Sequence, residues 1–200
     1  MKIKYKIIVV IALSFFVGVF FQTPKMGVFI SINKEESEST TSSVKSSGVR
    51  IRAHVTRVID GDTLKVFIND RNDTVRLIGI DSPEIVDTRK PVQCFANEAS
   101  AKMTELVSDA SVFLEEDATQ GDRDKYGRLL RFVFLENGND IGELMLEGGY
   151  AFEYTHNKAY KYTSEYKSSE SDARNTKVGL WNQLNCLTKI VGGRLETIYK

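Results

Sequence analysis

Alternating apolar and polar residues dominate the chain from residue 49 onward. Five short runs of this kind, rich in β-branched side chains, predict β-strands at residues 49–59, 63–68, 74–80, 112–116 and 129–135. The turn sequence Asp60-Gly61-Asp62 joins the first two runs, and a polar stretch at residues 69–73 joins the second to the third. On a continuous third strand, Arg76, Ile78 and Ile80 share one face. The pattern therefore predicts three consecutive strands and two more beyond them.

Three other segments have the period of an α-helix. Residues 97–107 predict a helix with Asn97 as its N-cap and an apolar face formed by Ala99, Met103, Leu106 and Val107. A short helix is predicted over residues 140–147, and a longer one over residues 160–177 has a stripe of Tyr162, Tyr166, Ser169 and Ala173. Together these elements predict an α+β fold that is mainly β: a five-stranded OB-fold β-barrel with three helices.

Residues 1–21 have the pattern of an export signal, because Lys2, Lys4 and Lys6 precede an apolar run at residues 7–21. The run is shorter than the roughly 20 residues that span a bilayer, and no Ala-x-Ala cleavage site follows it. A cleaved signal peptide and an uncleaved N-terminal membrane anchor both remain open. Either one predicts that the rest of the chain is extracellular or on the extracytoplasmic face of the cell membrane.

The remaining chain divides by composition. Residues 22–48 predict a flexible, disordered linker, since residues 33–48 are rich in Ser, Thr, Glu and Lys and contain Val44 as their one apolar residue. The folded domain is predicted at residues 49–185, followed by a C-terminal tail at residues 186–200.

The net charge excludes binding of nucleic acid by bulk electrostatic attraction. Six lysines and three glutamates precede residue 49, so that 21 of the 27 basic and 24 of the 27 acidic residues remain in the domain and its tail. The resulting net charge of −3 is opposite to that of a protein attracted to phosphate by its overall field. Any contact with phosphate must therefore depend on a local cluster of cationic groups or on a bound cation.

Candidate chemistry is concentrated between Arg76 and Glu84, where a guanidinium and the carboxylates of Asp81 and Glu84 lie within nine residues at a predicted strand end. Asp62 supplies another carboxylate from the preceding turn. Two carboxylates from separate loops, together with a turn carbonyl, suit a hard cation such as Ca²⁺. A plain acidic turn at residues 60–62 and a structural ion pair are the alternatives.

Three segments in order, Asp60-Gly-Asp-Thr63, Arg76 through Glu84 and Asp124-Lys-Tyr-Gly-Arg128, resemble the signature segments of the staphylococcal (micrococcal) nuclease family, the thermonucleases with a TNase-like domain. The similarity extends from about Val49 to Trp181. The fold of that family is the five-stranded barrel with three helices that the hydrophobic pattern predicts.

The resemblance implies a calcium-dependent endonuclease that hydrolyses phosphodiester bonds of DNA and RNA, in single strands or open duplexes, and leaves 3′-phosphate and 5′-hydroxyl ends. Asp62, Asp81 and the main-chain carbonyl of Ser82 are then expected to bind Ca²⁺. Glu84 is expected to hold the attacking water, and the phosphate and substrate contacts are expected from Arg76, Arg128, Lys125 and Tyr126. We expect a monomer, tethered to the membrane if the N-terminal segment is not cleaved.

The family's base pocket has no secure counterpart in the stretch from Ala151 to His156, where Tyr154 is only a candidate. A non-catalytic nucleic-acid-binding OB-fold module is the alternative function. Such a module is expected to lack one of Arg76, Glu84 and Arg128, and this chain retains all three.

The two cysteines, Cys94 and Cys186, predict a disulfide, because an exported chain with an even number of cysteines meets an oxidising environment. Two buried free thiols are the alternative.

Overall fold

The computed structural model describes residues 48–85, 92–182 and 186–199. The predicted export signal and almost all of the predicted linker, residues 1–47, lie outside the described residues. Within the described part of the chain, no helix has the length and apolar character needed to cross a membrane.

The strands of the described part are β1 Arg50–Val58, β2 Thr63–Ile68, β3 Arg71–Leu77, β4 Ile80–Asp81, β5 Ser111–Glu115, β6 Leu129–Leu135, β7 Phe152–Glu153, β8 Leu187–Val191 and β9 Arg194–Ile198. Five of them close a barrel in the order β1-β2-β3-β6-β5. All neighbours are antiparallel except β3 and β6, which run parallel. A parallel pair needs a long crossover connection, and β4, a helix and β5 form it here. The predicted five-stranded barrel with three helices is confirmed.

Alternation along the strands fills the interior of the barrel. Leu64 and Val66 of β2, together with Val75 and Leu77 of β3, are almost fully buried, whereas Lys65 between them is exposed. Removal of such side chains from water is the main favourable contribution to folding, at about 25 cal/mol per Å² of apolar surface.

The helices are α1 Ala96–Val107, α2 Ile141–Glu147 and α3 Thr163–Thr176, followed by a 3₁₀ turn at Gly179–Trp181. The predicted cap at Asn97 is wrong: Phe95 precedes the first turn in a left-handed conformation and provides no side-chain cap. Asp140 does cap α2, where its carboxylate accepts hydrogen bonds from the main-chain nitrogens of Gly142 and Glu143.

The predicted third strand over residues 74–80 is wrong at both ends. β3 begins three residues earlier, because Asn69 and Asp70 both adopt positive φ angles, 49° and 59°, and turn the chain tightly after β2. It ends at Leu77, since Gly79 has a φ of 82° and redirects the chain into β4. Arg76 therefore does not share a continuous strand face with Ile78 and Ile80.

Residues 187–198, within the predicted C-terminal tail, form the antiparallel hairpin β8–β9. A disulfide joins Cys94, just before α1, to Cys186, just before β8. The hydroxyl of Thr197 in β9 donates a hydrogen bond to the main-chain carbonyl of Cys94. The hairpin is therefore anchored to the body of the domain next to α1. The predicted domain boundary at residue 185 stays a prediction.

Candidate active site

The turn between β1 and β2 holds Asp60 and Asp62 in a fixed arrangement. Asp60 accepts a hydrogen bond from the main-chain nitrogen of Asp62 at 3.1 Å, and Thr63 donates its hydroxyl hydrogen to Asp62 Oδ1 at 2.9 Å. Gly61 is necessary here, because a Cβ at that position would lie 2.7 Å from the Cβ of Ser82. The glycine therefore allows the acidic turn to pack directly against the segment that follows β4.

Asp81 and Ser82 lie beside this turn. The main-chain nitrogen of Ser82 donates to Asp62 Oδ2 at 2.8 Å, so that Asp62 is hydrogen-bonded through both of its carboxylate oxygens. Asp62, Asp81 and Ser82 are all buried. The structure thus brings together the three residues that the sequence predicts as cation ligands.

Arg76 connects the two carboxylates. Its Nη2 atom lies 3.1 Å from Asp62 Oδ2 and 2.8 Å from Asp81 Oδ1. Its Nη1 atom donates to the carbonyls of Leu77 at 2.6 Å and Ile80 at 2.7 Å. Burial lowers the pKa of Arg76, but the facing carboxylates of Asp62 and Asp81 outweigh this effect and raise it. The guanidinium therefore stays charged, and both halves of it have partners.

Two further carboxyl groups contribute to an excess of negative charge. Burial, followed by repulsion from Asp62, raises the pKa of Asp60 to about 7. Burial and the charges of Asp62 and Asp81 also raise the pKa of Glu84. A carboxylate with a raised pKa is a stronger base, which suits the predicted role of Glu84. Gln93 fixes the main chain of Glu84, since the two residues exchange hydrogen bonds of 3.1 Å.

Arg128 lies just before β6, the strand that pairs with β3, which carries Arg76. Its Nε donates to Asp124 Oδ2 at 2.6 Å, and its main-chain nitrogen donates to Asp124 Oδ1 at 3.0 Å. In the part of the chain that the structure describes, no contact joins Arg128 to Asp62, Asp81 or Glu84. The side chain of Arg128 is 30% exposed and is oriented by its ion pair with Asp124.

Lys125 and Tyr126 form the exposed tip of the same loop. Tyr126 is 72% exposed, and the Nζ of Lys125 lies 5.0 Å from the centroid of its ring. The guanidinium carbon of Arg128 lies 5.5 Å from that ring. The structure thus groups Lys125, Tyr126 and Arg128 in one loop, and their predicted substrate contacts stay predictions.

The donor set of the acidic cluster fits a hard divalent cation. The described residues include no group of three or more His, Cys, Asp or Glu side chains arranged around a common point. The carboxylates of Asp62 and Asp81 do not need such a group, since Ca²⁺ accepts water and carbonyl oxygen as further ligands. Asp62 and Asp81 lie within 3.1 Å of the same Arg76 nitrogen, and burial, followed by repulsion from Asp62, raises the pKa of both Asp60 and Glu84.

Sequence reasoning missed Asp60 and Arg194. Asp60 belongs to the predicted turn at residues 60–62, and its spacing of two from Asp62 is a visible signal. Arg194, in the hairpin β8–β9, donates to both carboxylate oxygens of Asp81, with 3.0 Å between its Nε and Oδ2. No local pattern points to Arg194. The predicted pairing of Cys94 with Cys186 indicates only that the C-terminal segment lies against the body of the domain.

A cleft of about 250 Å³ lies beside Asp81 and is lined partly by Tyr154, Lys167 and Arg194. The structure therefore places Tyr154, the candidate base-pocket residue, next to the acidic cluster. Neither histidine contacts Asp62 or Asp81 in the described part of the chain: His54 Nε2 is 3.2 Å from Asp109 Oδ1, and His156 Nδ1 is hydrogen-bonded to Tyr154 Oη.

The fold and the site define an OB-fold protein with an acidic, arginine-containing centre at the end of its barrel. A model of the family described as "Staphylococcal nuclease homologue" matches residues 74–183, more than half of the chain. That match includes Arg76, Asp81, Glu84 and Arg128 and begins after Asp62. The chain belongs to the staphylococcal nuclease family.

Individual relatives support this membership. The chain is 34% identical over 158 residues to endonuclease YncB of Bacillus subtilis, which covers 78% of this chain and 74% of that protein. It is 33% identical over 129 residues to a thermonuclease of Staphylococcus hyicus, covering 64% of this chain and 74% of the relative. The SPbeta prophage-derived endonuclease YokF of Bacillus subtilis is 38% identical over 134 residues, but this chain spans only 44% of its length.

Proposed function

We propose that this chain is a calcium-dependent endonuclease that hydrolyses phosphodiester bonds of DNA and RNA and leaves 3′-phosphate and 5′-hydroxyl ends. Its class, a nuclease among the hydrolases, follows from its family and from relatives named endonuclease and thermonuclease. The observation that carries the proposal is the contact of Arg76 with both Asp62 and Asp81 at one buried site.

The proposed cation is Ca²⁺, held by Asp62, Asp81 and the carbonyl of Ser82. These oxygen donors are hard, and two carboxylates leave room for water, which Ca²⁺ tolerates at flexible geometry. When bound, the ion supplies positive charge that stabilises the negative charge developing on the phosphoryl oxygens.

Glu84 is the proposed group that positions the attacking water and accepts its proton. A bond forms between the water oxygen and phosphorus, and the bond between phosphorus and the 5′-oxygen breaks. The 5′-oxygen leaves with a proton from solvent, which gives the 3′-phosphate and 5′-hydroxyl ends. The raised pKa of Glu84 supports this role, because its carboxylate is more basic than an exposed one.

Arg76 and Arg128 are the proposed phosphate-binding groups. The guanidinium of Arg128 can bind two phosphate oxygens at once, which orients the phosphate, and the charges of both arginines stabilise the transition state. Lys125 and Tyr126 share the loop of Arg128 and are proposed to contact the neighbouring phosphate or base of the substrate. Such local contacts account for substrate binding by a domain whose net charge is −3.

The proposed location is outside the cytoplasm, either secreted or tethered to the membrane through residues 1–21, and the proposed state is a monomer. The basic start and apolar run of that segment support export. N-terminal sequencing of the mature protein, after separation of membrane and medium fractions, tests the location. Light scattering of the purified chain tests the monomer.

The non-catalytic alternative, a nucleic-acid-binding OB-fold module, is disfavoured because Arg76, Glu84 and Arg128 are all present. Cleavage of 5′-labelled DNA and RNA oligonucleotides of defined sequence distinguishes the two functions. We expect fragments whose mobility changes after phosphatase treatment, since that treatment removes a 3′-phosphate. Binding without cleavage would favour the module, and fragments with 3′-hydroxyl ends would contradict the proposed end chemistry.

A further inference from the structure

The hairpin β8–β9 is attached to the domain mainly by covalent and polar contacts. The side chains of β8 are exposed along its whole length, and within β9 only Thr197 is buried. Its anchors to the body include the disulfide from Cys186 to Cys94 and the hydrogen bond from Thr197 to the Cys94 carbonyl. An element that buries so little apolar surface separates from its support more readily than a core strand does.

Arg194 extends from this hairpin to the acidic cluster. It follows the tight turn at Gly192 and Gly193, and its guanidinium contacts both oxygens of the buried Asp81 carboxylate. The guanidinium carbon also lies 4.9 Å from the centroid of the Tyr154 ring. Two parallel hydrogen bonds and an aromatic neighbour make this a specific position for an arginine.

A cation that binds Asp81 needs one of its carboxylate oxygen atoms. Both oxygen atoms are in contact with an arginine, since Arg76 contacts Oδ1 and Arg194 contacts both. Arg76 is fixed in the structure, because its other terminal nitrogen holds the carbonyls of Leu77 and Ile80 and its side chain is 11% exposed. Arg194 is the movable partner, since its side chain is 44% exposed and belongs to the weakly buried hairpin.

We propose that Arg194 competes with the metal ion for Asp81, so that the disulfide-held hairpin acts as a clasp that lowers the affinity of the site for Ca²⁺. This inference depends on the calcium site of the proposed function. In it, metal binding displaces Arg194 from Asp81, and the disulfide keeps the hairpin close enough for Arg194 to return. Arg194 is thus a residue that sets metal affinity rather than a catalytic residue.

The direct test is isothermal titration of Ca²⁺ into the full-length, oxidised chain, without nucleic acid. Arg194→Gln is compared with Lys167→Gln, which removes the same charge from the same cleft without a contact to Asp81. We expect Arg194→Gln to bind Ca²⁺ about three- to tenfold more tightly than the parent chain, the range for loss of a half-exposed competing ion pair. The change for Lys167→Gln is expected to be clearly smaller.

Two results of this titration would overturn the clasp. Equal gains in the two variants would show a general effect of charge, and no gain in Arg194→Gln would show that Arg194 does not compete. A raised KM for oligonucleotide with unchanged calcium affinity would identify Arg194 as a substrate contact instead. If none of the chains bound Ca²⁺, the calcium assignment of the proposed function would be wrong. If the parent chain bound Ca²⁺ and Arg194→Gln bound it equally well, only the competition by Arg194 would be wrong.

Reduction of the disulfide provides an independent arm. In the parent chain, reduction is expected to raise calcium affinity in the same direction as Arg194→Gln, because the hairpin is no longer tethered. In Arg194→Gln, reduction is expected to add little, since the two changes act on one contact and are not additive. An equal effect of reduction in both chains would show that the disulfide does not act through Arg194. Circular dichroism of each reduced sample verifies that the barrel remains folded.

Discussion

The two terminal nitrogens of Arg76 have different kinds of partner. Nη1 holds the main chain of Leu77 and Ile80, whereas Nη2 faces the carboxylates of Asp62 and Asp81. A substitution at Arg76 therefore changes both the stability of the turn after β3 and the chemistry of the site. Glu84 and Arg128 allow the chemistry to be tested separately, because neither is part of the buried contacts that hold the turn.

Glu84→Gln and Arg128→Lys are expected to reduce turnover about 100-fold or more while leaving stability nearly unchanged. The first removes the proposed base and the second removes the proposed two-pronged phosphate contact, and both change the side-chain volume little. Arg52→Lys, at the exposed pair with Glu136, is the matched control and is expected to retain full turnover. Single-turnover kinetics and urea denaturation measure the two effects. A loss of stability that parallels the loss of activity would favour a purely structural network.

Asp60→Asn is expected to stabilise the metal-free protein increasingly as the pH rises from about 4 to about 7. The pKa of Asp60 is about 7 in the folded state against 3.8 for the ordinary group, so the folded state binds the extra proton in this range. Binding of that proton stabilises the folded parent chain, and this stabilisation is lost as the pH rises. The variant does not lose it, because asparagine cannot ionise. The expected gain above pH 7 is on the order of 1–3 kcal/mol.

Urea denaturation in EDTA at pH 4.5, 6 and 8 measures the Asp60→Asn effect. Asparagine retains an oxygen that accepts the hydrogen bond from the Asp62 main chain, so the turn itself should be preserved. A stability difference that is the same at all three pH values would contradict the pKa assignment.

At the scale of elements, α2 depends on a single carboxylate, that of Asp140, which accepts three hydrogen bonds. Asp140 accepts hydrogen bonds from the main-chain nitrogens of Gly142 and Glu143 and from the hydroxyl of the fully buried Tyr166 at 2.8 Å. The same residue therefore begins the helix and ties α2 to α3. The sequence predicted the start of the helix, but not the contact with α3.

Asp140→Ala is expected to lower the free energy of unfolding by about 2–3 kcal/mol, because it removes the helix cap and leaves the buried Tyr166 hydroxyl without its acceptor. Asp172→Ala, on the exposed face of α3, is the control and is expected to cost less than about 0.5 kcal/mol. Urea denaturation measures both. Similar values for the two variants would contradict this account of α2.

Element types were predictable because the apolar period is local information. The strand β2 and the face of α1 follow directly from alternation and from the helical period. The ends of β3 were not predictable, since they depend on left-handed φ angles at Asn69, Asp70 and Gly79. At Gly79 the choice is also tertiary: a Cβ there would lie 2.6 Å from the ring of Tyr160, which is 81 residues away in sequence.

The residues of the acidic cluster were predictable in a different way. Asp62, Arg76, Asp81 and Glu84 lie in two of the three short signature segments, and the barrel brings the first three into contact. Arg194 was not predictable, because its place depends on the path of the C-terminal hairpin. Spacing along the chain carries no information about a contact with Asp81 over 113 residues.

At the scale of the whole molecule, the disulfide closes a loop of 92 residues. Without reductant, neither Cys94 nor Cys186 is expected to react with iodoacetamide under denaturing conditions, and mass spectrometry measures the uptake. The double variant Cys94→Ser and Cys186→Ser is expected to be less stable by about 2–4 kcal/mol, since the unfolded chain gains conformational freedom. Alkylation of both thiols in the non-reduced chain would exclude the bridge.

The central claim is that Asp62 and Asp81 bind a calcium ion that nucleic-acid cleavage requires. Its most direct test is cleavage of a DNA oligonucleotide by the full chain in EGTA, with added Ca²⁺ or Mg²⁺, alongside Asp81→Asn. We expect no cleavage in EGTA, full recovery with Ca²⁺, and poor recovery with Mg²⁺, which demands tighter octahedral geometry. Asp81→Asn is expected to stay inactive at calcium concentrations that saturate the parent chain. Full activity of the parent chain in EGTA would contradict the claim.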